Sequence, residues 1–143
     1  MIEIKSYEHI NGVRFGADEN EIIRVFGEPG SRRINREGEL ELHYANYIVR
    51  FEAGSKQFRE FTLLPGSVAQ VNGVPLVWKP IFLASFEKED PGLVEALGFI
   101  LSLKLGLAFS GFHENDPAQM AVHAFRRGDW DMFRDRMKPF HTG

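Results

Sequence analysis

The residues from Glu39 to Glu52 alternate between apolar and polar side chains, and this pattern constrains the fold most strongly. The apolar positions are Leu40, Leu42, Tyr44, Tyr47, Val49 and Phe51, and a break in the alternation falls at Ala45-Asn46. Because successive side chains of a β-strand point to opposite faces, the pattern predicts two strands joined by a two-residue turn at Ala45-Asn46. All six apolar residues then share one buried face, with Leu42 opposite Val49. On the other face Glu41 lies opposite Arg50, which is an attractive pair.

Signals for a helix and a third strand flank this hairpin. Asp18 and Glu21 have the spacing of a capping box, and Gly27 followed by Pro29 ends the helix that they begin. After the hairpin, residues 57–64 are predicted to form a third strand. The first half of the chain therefore reads as a helix followed by an antiparallel meander.

The second half is more apolar, and its elements are predicted from turn residues and apolar runs. We expect strands within residues 74–86, broken near two prolines, and a central helix that Asp90 caps and Gly106 ends. Further strands are expected over 107–112 and 120–125, and a last helix from Asp129. The sum is one α+β domain over residues 1–143, with a mainly antiparallel curved sheet and about three helices. Each half has a helix followed by strands, but no repeat is evident residue by residue.

Composition restricts the classes of function. The chain has 143 residues, a formal net charge of -3 and no cysteine. The absence of cysteine excludes disulfides, thiolate catalysis and cysteine-bound zinc, and it fits a cytoplasmic protein. The mild acidity argues against binding to nucleic acid. We expect no cofactor and no membrane partner.

Acidic residues on the predicted hairpin form a candidate surface for a protein partner. The four residues of this acidic strip are Glu37, Glu39, Glu41 and Glu52. Three of them are predicted to face solvent, and Glu39 opposite Glu52 is an unfavourable like-charge pair. A protein that keeps such a pair is able to use it against a basic partner, although simple solubility is an equally physical explanation.

The segment after the apolar run at residues 105–112 carries the alternative site. His113, Glu114 and Asp116 are residue types that bind metals or move protons, and His123 follows ten positions after His113. Their spacing matches no metal-ligand motif, and Asp116-Pro117 is a turn-forming pair, which favours a solvated loop. Glu95 is a further acid to place. It is either buried in the predicted central helix or faces outward on a polar strip with Ser102.

Three stretches of the chain together resemble a class of small bacterial proteins. They are the segment V-R-F-G-A-D-E-N-E-I-I-R-V-F-G-E-P, the stretch K-L-G-L-A-F-S-G-F-H and the stretch A-V-H-A-F-R-R-G-D-W-D. The chain resembles small single-domain toxin-immunity proteins, and its first helix with the following strands is similar to the half-repeats of β-lactamase-inhibitor-like folds. The resemblance implies a non-catalytic protein that neutralises a toxin by binding it. It carries over no catalytic residue.

Overall fold

The computed structural model describes residues 1–143 and has an α+β fold with two mostly antiparallel sheets. The smaller sheet contains β1 (Ile2–Lys5), β2 (His9–Ile10), β3 (Val13–Arg14), β8 (Ala69–Val71) and β9 (Val74–Pro75). The larger sheet contains β4 (Ser31–Ile34), β5 (Leu40–His43), β6 (Tyr47–Phe51), β7 (Phe58–Leu63), β10 (Val94–Ala96), β11 (Phe99–Ser102), β12 (Leu107–Ser110), β13 (Ala121–Phe125) and β14 (Lys138–Pro139). The helices are α1 (Glu19–Phe26), α2 (Pro80–Glu89) and a 3-10 helix (Asp131–Arg136). None of them is long and apolar enough to cross a membrane.

The predicted hairpin is confirmed as β5 and β6. Leu42 pairs with Val49 and Glu41 pairs with Arg50, and the Tyr44 amide donates to the Tyr47 carbonyl oxygen at 3.0 Å. The predicted third strand is β7, which pairs with β6. The alternation fixed this register, because a slip of one residue would have turned Leu42 and Val49 out of the core.

The first helix is also confirmed, together with its capping. The Asp18 carboxylate accepts a hydrogen bond from the Glu21 amide at 2.9 Å. At the other end Gly27 has a φ of 85° and its amide donates to the Ile23 carbonyl oxygen. The helix buries Ile22 against the larger sheet's core, which also contains Leu42 and Phe61.

Strands were predicted within residues 74–86. The second part of this prediction is wrong, because the chain forms α2 from Pro80 onward. Only Val74-Pro75 is a strand, and Pro80 occupies the start of the helix, where its missing N–H costs nothing. Phe82, Leu83 and Phe86 follow at helical spacing and are buried. Asp90 lies at the C-terminal end of this helix and does not begin another one.

The predicted central helix is therefore also wrong, and its residues form the hairpin of β10 and β11. Leu97 and Gly98, with φ values of 52° and 85°, make the two-residue turn. The run looked helical because it is apolar on every side. In the structure Ile100 contacts the main core, whereas Leu101 contacts a second apolar cluster on the opposite face. A strand buried on both faces loses the alternation that identifies it.

The last predicted helix is replaced by a shorter element. A 3-10 helix covers Asp131–Arg136, and the chain then adds β14 to the edge strand β10. Trp130 and Met137 pack on the second apolar cluster. This C-terminal segment thus covers half of the larger sheet's outer face.

The fold contains an internal duplication, of which the sequence analysis identified only the shared order of a helix followed by strands in each half. Asn11-Gly12 and Asn72-Gly73 turn the two hairpins β2-β3 and β8-β9 with nearly equal φ values, 48° and 81° in the first and 49° and 82° in the second. Each hairpin leads into a helix and then into a four-stranded meander. The N-caps Asp18 and Lys79 lie 61 positions apart, as do the two Asn-Gly turns.

The two units meet through their last strands. β7 pairs antiparallel with β13, and Thr62 lies opposite His123, again 61 positions away. Antiparallel pairing of equivalent strands is what a two-fold rotation produces, so this pair marks the position of an approximate two-fold axis. The units differ at their outer edges, because β10 is covered by β14 whereas β4 is the last strand of the sheet.

Candidate functional site

The outer face of the larger sheet is polar in the first unit and is not covered by the C-terminal segment. Leu42, Val49 and Phe61 point into the core, so their strand neighbours point to this opposite face. We call it the polar face, and it comprises Glu39, Glu41, His43, Ile48, Arg50, Glu52, Arg59, Glu60, Thr62, His123, Arg126 and Asp129.

A register shift in the sheet increases the number of charges on this face. The ladder between β6 and β7 shifts between Arg50 and Phe51, so that Glu60 pairs with Arg50 and Phe58 pairs with Phe51. Arg59 is the extra residue between these two pairs. A bulge of this kind allows two consecutive side chains to lie on one face, and both Arg59 and Glu60 reach the polar face.

Glu60 lies at the centre of the polar face. Its carboxylate forms an ion pair with Arg50 and lies 3.4 Å from the Nδ1 atom of His123. Burial raises the pKa of Glu60, but the hydrogen bond and charge of His123 and the charges of Arg50 and Arg59 outweigh it and lower the pKa to about 2. Glu60 is therefore a fixed negative charge, not a proton carrier near neutral pH.

Arg50 connects Glu60 at the centre of the polar face to residues of β5. Its Nη2 atom lies 2.8 Å from a carboxylate oxygen of Glu41, and the other oxygen of Glu41 lies 2.9 Å from the Nε2 atom of His43. Burial raises the pKa of Glu41, but hydrogen bonds from His43 and Arg50 lower it below its usual range overall. The four side chains hold each other in one orientation.

A second group of charges lies at the rim, where the C-terminal segment leaves the sheet. Arg59 binds Glu39 and lies 3.2 Å from Asp129, and Arg126 binds Glu52 and lies 3.0 Å from Asp129. Asp129 thus bridges two arginines. It fixes the segment that covers the second unit to the polar face of the first.

The acidic strip predicted from the hairpin is not a row of solvated carboxylates. Glu39 is only 7% exposed, and Glu41 is paired with Arg50. The predicted repulsion between Glu39 and Glu52 is also wrong, because each binds a different arginine. Arg59 and Arg126 lie outside the hairpin, so the pairing of β5 with β6 alone does not reveal these two ion pairs. Glu37 is exposed in the turn between β4 and β5.

The alternative site residues are divided between two places. His113, Glu114 and Asp116 are exposed in the connection between β12 and β13, where Asp116 accepts a hydrogen bond from the Ala118 amide at 3.1 Å. His123 lies on the polar face, with its Nδ1 atom 2.8 Å from the Thr62 hydroxyl. No group of three or more His, Asp or Glu side chains is arranged to hold a metal ion.

A hollow of about 390 Å³ adjoins the His113 loop. Its charged lining residues are Glu95, His113, Glu114, Arg136 and Lys138. Glu95 is exposed, as the outward interpretation expected, although it lies on a strand. The polar strip predicted with it does not form, because Ser102 is fully buried and donates to Asp90 at 2.8 Å.

The fold and the polar face together define a class: a duplicated α+β protein with one half of its main sheet face left open and charged. Comparison with known proteins adds no family, because no family model matches the chain and neither a curated protein nor a solved structure is significantly similar to it.

Proposed function

We propose that the protein is a non-catalytic protein-binding module and that it binds its partner with the polar face. The observation that carries this proposal is the preorganised charge on an open sheet surface. The side chains of Arg50, Glu41 and Glu60 are 14–19% exposed, and their mutual ion pairs hold them in place at the sheet surface. A surface of this kind loses little side-chain entropy when a partner docks.

The charge balance of the polar face indicates the chemistry of the partner. Within the ion-pair network of this face, five carboxylates face three guanidinium groups, so the network carries two excess negative charges when His43 and His123 are neutral. An acidic surface is complementary to a basic one, and complementarity raises association rates and excludes wrongly charged partners. The proposed partner is therefore a protein with a basic patch.

The specific form of the proposal is an immunity protein that neutralises a bacterial toxin by covering a basic cleft. The resemblance of the sequence to small toxin-immunity proteins supports this form. A toxin that acts on nucleic acid or another anionic substrate has a basic cleft, and occluding that cleft requires no catalysis. The lack of cysteine fits a reducing compartment, so we place the protein in the cytoplasm.

A second candidate function is the binding of a small anionic or zwitterionic molecule beside the His113 loop. The hollow next to His113, which Arg136 and Lys138 also line, favours it. Metal-dependent hydrolysis there is less well supported, because His123 does not join the loop residues. A thermal-shift panel of metals and small anions tests this candidate, and a stabilisation lost in His113→Ala supports it.

The experiment for the main proposal compares two isoleucine-to-arginine variants. Ile48 lies on the polar face between His43 and Thr62, whereas Ile81 is 67% exposed on α2. Tagged wild type, Ile48→Arg and Ile81→Arg are used to capture proteins from a lysate of the source organism, and mass spectrometry identifies them. We expect one basic protein with wild type and Ile81→Arg and its loss with Ile48→Arg. Equal capture by all three would contradict the use of the polar face.

A further inference from the structure

The outermost strand of the first unit, β4, presents a free hydrogen-bonding edge. All four of its residues are exposed, and Ile34 is 66% exposed. The Asn35 amide donates to the Glu39 carbonyl oxygen at 3.0 Å. Because bonding alternates along an antiparallel ladder, the N–H and C=O groups of Ile34 and Arg32 point away from β5. They are available to another strand.

The second unit shows what the equivalent edge binds. There β14 pairs antiparallel with β10, and the register sets Pro139 opposite Val94 and Lys138 opposite Glu95. The added strand therefore brings a basic residue to an acidic edge position. In the first unit no strand is added at the equivalent edge, because β4 is the last strand of the larger sheet.

The charges of β4 distinguish between occupants of this edge. Arg32 is paired with Glu19, whereas Arg33 and Arg36 are in no ion pair. Pairing with β4 of a second copy through these outward groups, centred on Arg33, would set Arg32 of one copy opposite Ile34 of the other and the two Arg33 side chains opposite each other, and like charges directly opposite destabilise a ladder. The same arginines attract a strand of opposite charge.

We propose that the β4 edge binds an extended, acidic segment of a partner protein, which adds as a further antiparallel strand and places a carboxylate opposite Arg33. Main-chain hydrogen bonds to Arg32 and Ile34 supply part of the affinity, and the charge opposite Arg33 supplies selectivity. This surface is the outer edge of β4, and Arg33, which lies opposite Glu41 in the β4–β5 ladder, places its charge next to the polar face.

The test uses two fluorescein-labelled heptapeptides in which threonine and valine alternate with either glutamate or lysine. Fluorescence anisotropy measures their binding to the full chain. We expect the acidic peptide to bind about tenfold more tightly than the basic one, a preference of the size that one well-placed charge pair provides. Amide NMR shifts on binding should be largest at Arg32 and Ile34.

Three variants make the result specific. Arg33→Glu should reverse the charge preference, and Ile34→Pro, which removes an outward N–H at an edge position, should weaken the acidic peptide about tenfold. Lys88→Glu makes the same charge change on α2 and should leave binding unchanged. Equal affinity for the two peptides, no binding, or NMR shifts elsewhere would overturn the proposal. A concentration-dependent dimer that Ile34→Pro abolishes would also overturn it, in favour of a second copy.

Discussion

The central carboxylate of the polar face, Glu60, makes the stability of the protein depend on pH. Its side chain is only 14% exposed, and its pKa in the folded protein is about 2 against an ordinary value of 4.5. A difference of this size corresponds to about 3 kcal/mol, because each pKa unit is worth about 1.4 kcal/mol. The replacement Glu60→Gln should remove this contribution and leave Arg50 paired with Glu41.

The sign of the pH dependence follows from the lowered pKa. A group with a lowered folded-state pKa stabilises the protein above the pKa of the unfolded state and loses that effect as the pH falls through the folded-state value. The free energy of unfolding of wild type should therefore exceed that of Glu60→Gln by about 3 kcal/mol at pH 7. The difference should shrink as the pH falls from about 5 to about 2.

Urea denaturation followed by circular dichroism measures both quantities. The control is Glu114→Gln, which makes the same change at an exposed acid in no ion pair and should stay within about 0.5 kcal/mol of wild type. A difference between wild type and Glu60→Gln that stays constant with pH, or that grows as the pH falls, would refute the assignment of Glu60 as a stabilising charge.

Three further predictions concern glycine conformation, a buried hydroxyl and the C-terminal segment. Gly111→Ala should lower the unfolding free energy in urea denaturation by more than about 3 kcal/mol, because the added Cβ would lie 2.5 Å from the backbone of Gln119. Gly98→Ala adds a Cβ into open space and should cost only about 1 kcal/mol, from backbone strain. Ser102→Ala removes the buried hydroxyl that donates to Asp90 and should lower the unfolding free energy by about 1–3 kcal/mol. Asp129→Asn weakens the bridge to two arginines and should speed trypsin cleavage of the C-terminal segment without unfolding the rest; unchanged cleavage would argue against that anchoring role.

The elements predicted well are those whose local signals agree with their environment. The apolar residues of the hairpin from Leu40 to Phe51 share one buried face, so the alternation of apolar and polar residues predicts the strand register directly. Asp18, Glu21 and Gly27 specify their helix through local hydrogen bonds and need no tertiary contact. Each of these signals lies within a few residues of the structure that it determines.

The second unit was mispredicted because its environment removes those signals. Residues of β10 and β11 contact an apolar cluster on each face, so strand and helix look alike in that sequence. The duplication is visible in one fragment of the sequence. Ile10-Asn11-Gly12-Val13 and Val71-Asn72-Gly73-Val74 are identical at three positions and differ only by Ile against Val at the first. An alignment of the two halves on these turns would have matched α2 with α1 and would have corrected the predicted secondary structure of the second half.

The polar face was only partly predictable. Glu41 opposite Arg50 follows from the hairpin register, and the structure confirms that pair. Glu60 meets Arg50 through the pairing of β6 with β7, whereas His123 reaches the face through the pairing of β7 with β13, which sets it opposite Thr62, 61 positions away. Arg59 reaches the face through a bulge that no local sequence pattern marks.

The most direct test of the proposed function is histidine labelling of the captured complex. Diethylpyrocarbonate modifies accessible imidazoles, and the chain offers His43 and His123 on the polar face together with His113 and His141 elsewhere. Mass spectrometry compares the labelling rate of each histidine with and without the partner. We expect the partner to slow labelling of His43 and His123 and to leave labelling of His113 and His141 unchanged. Protection of His113 with unchanged labelling of His43 would contradict it and would move the binding site to the His113 loop.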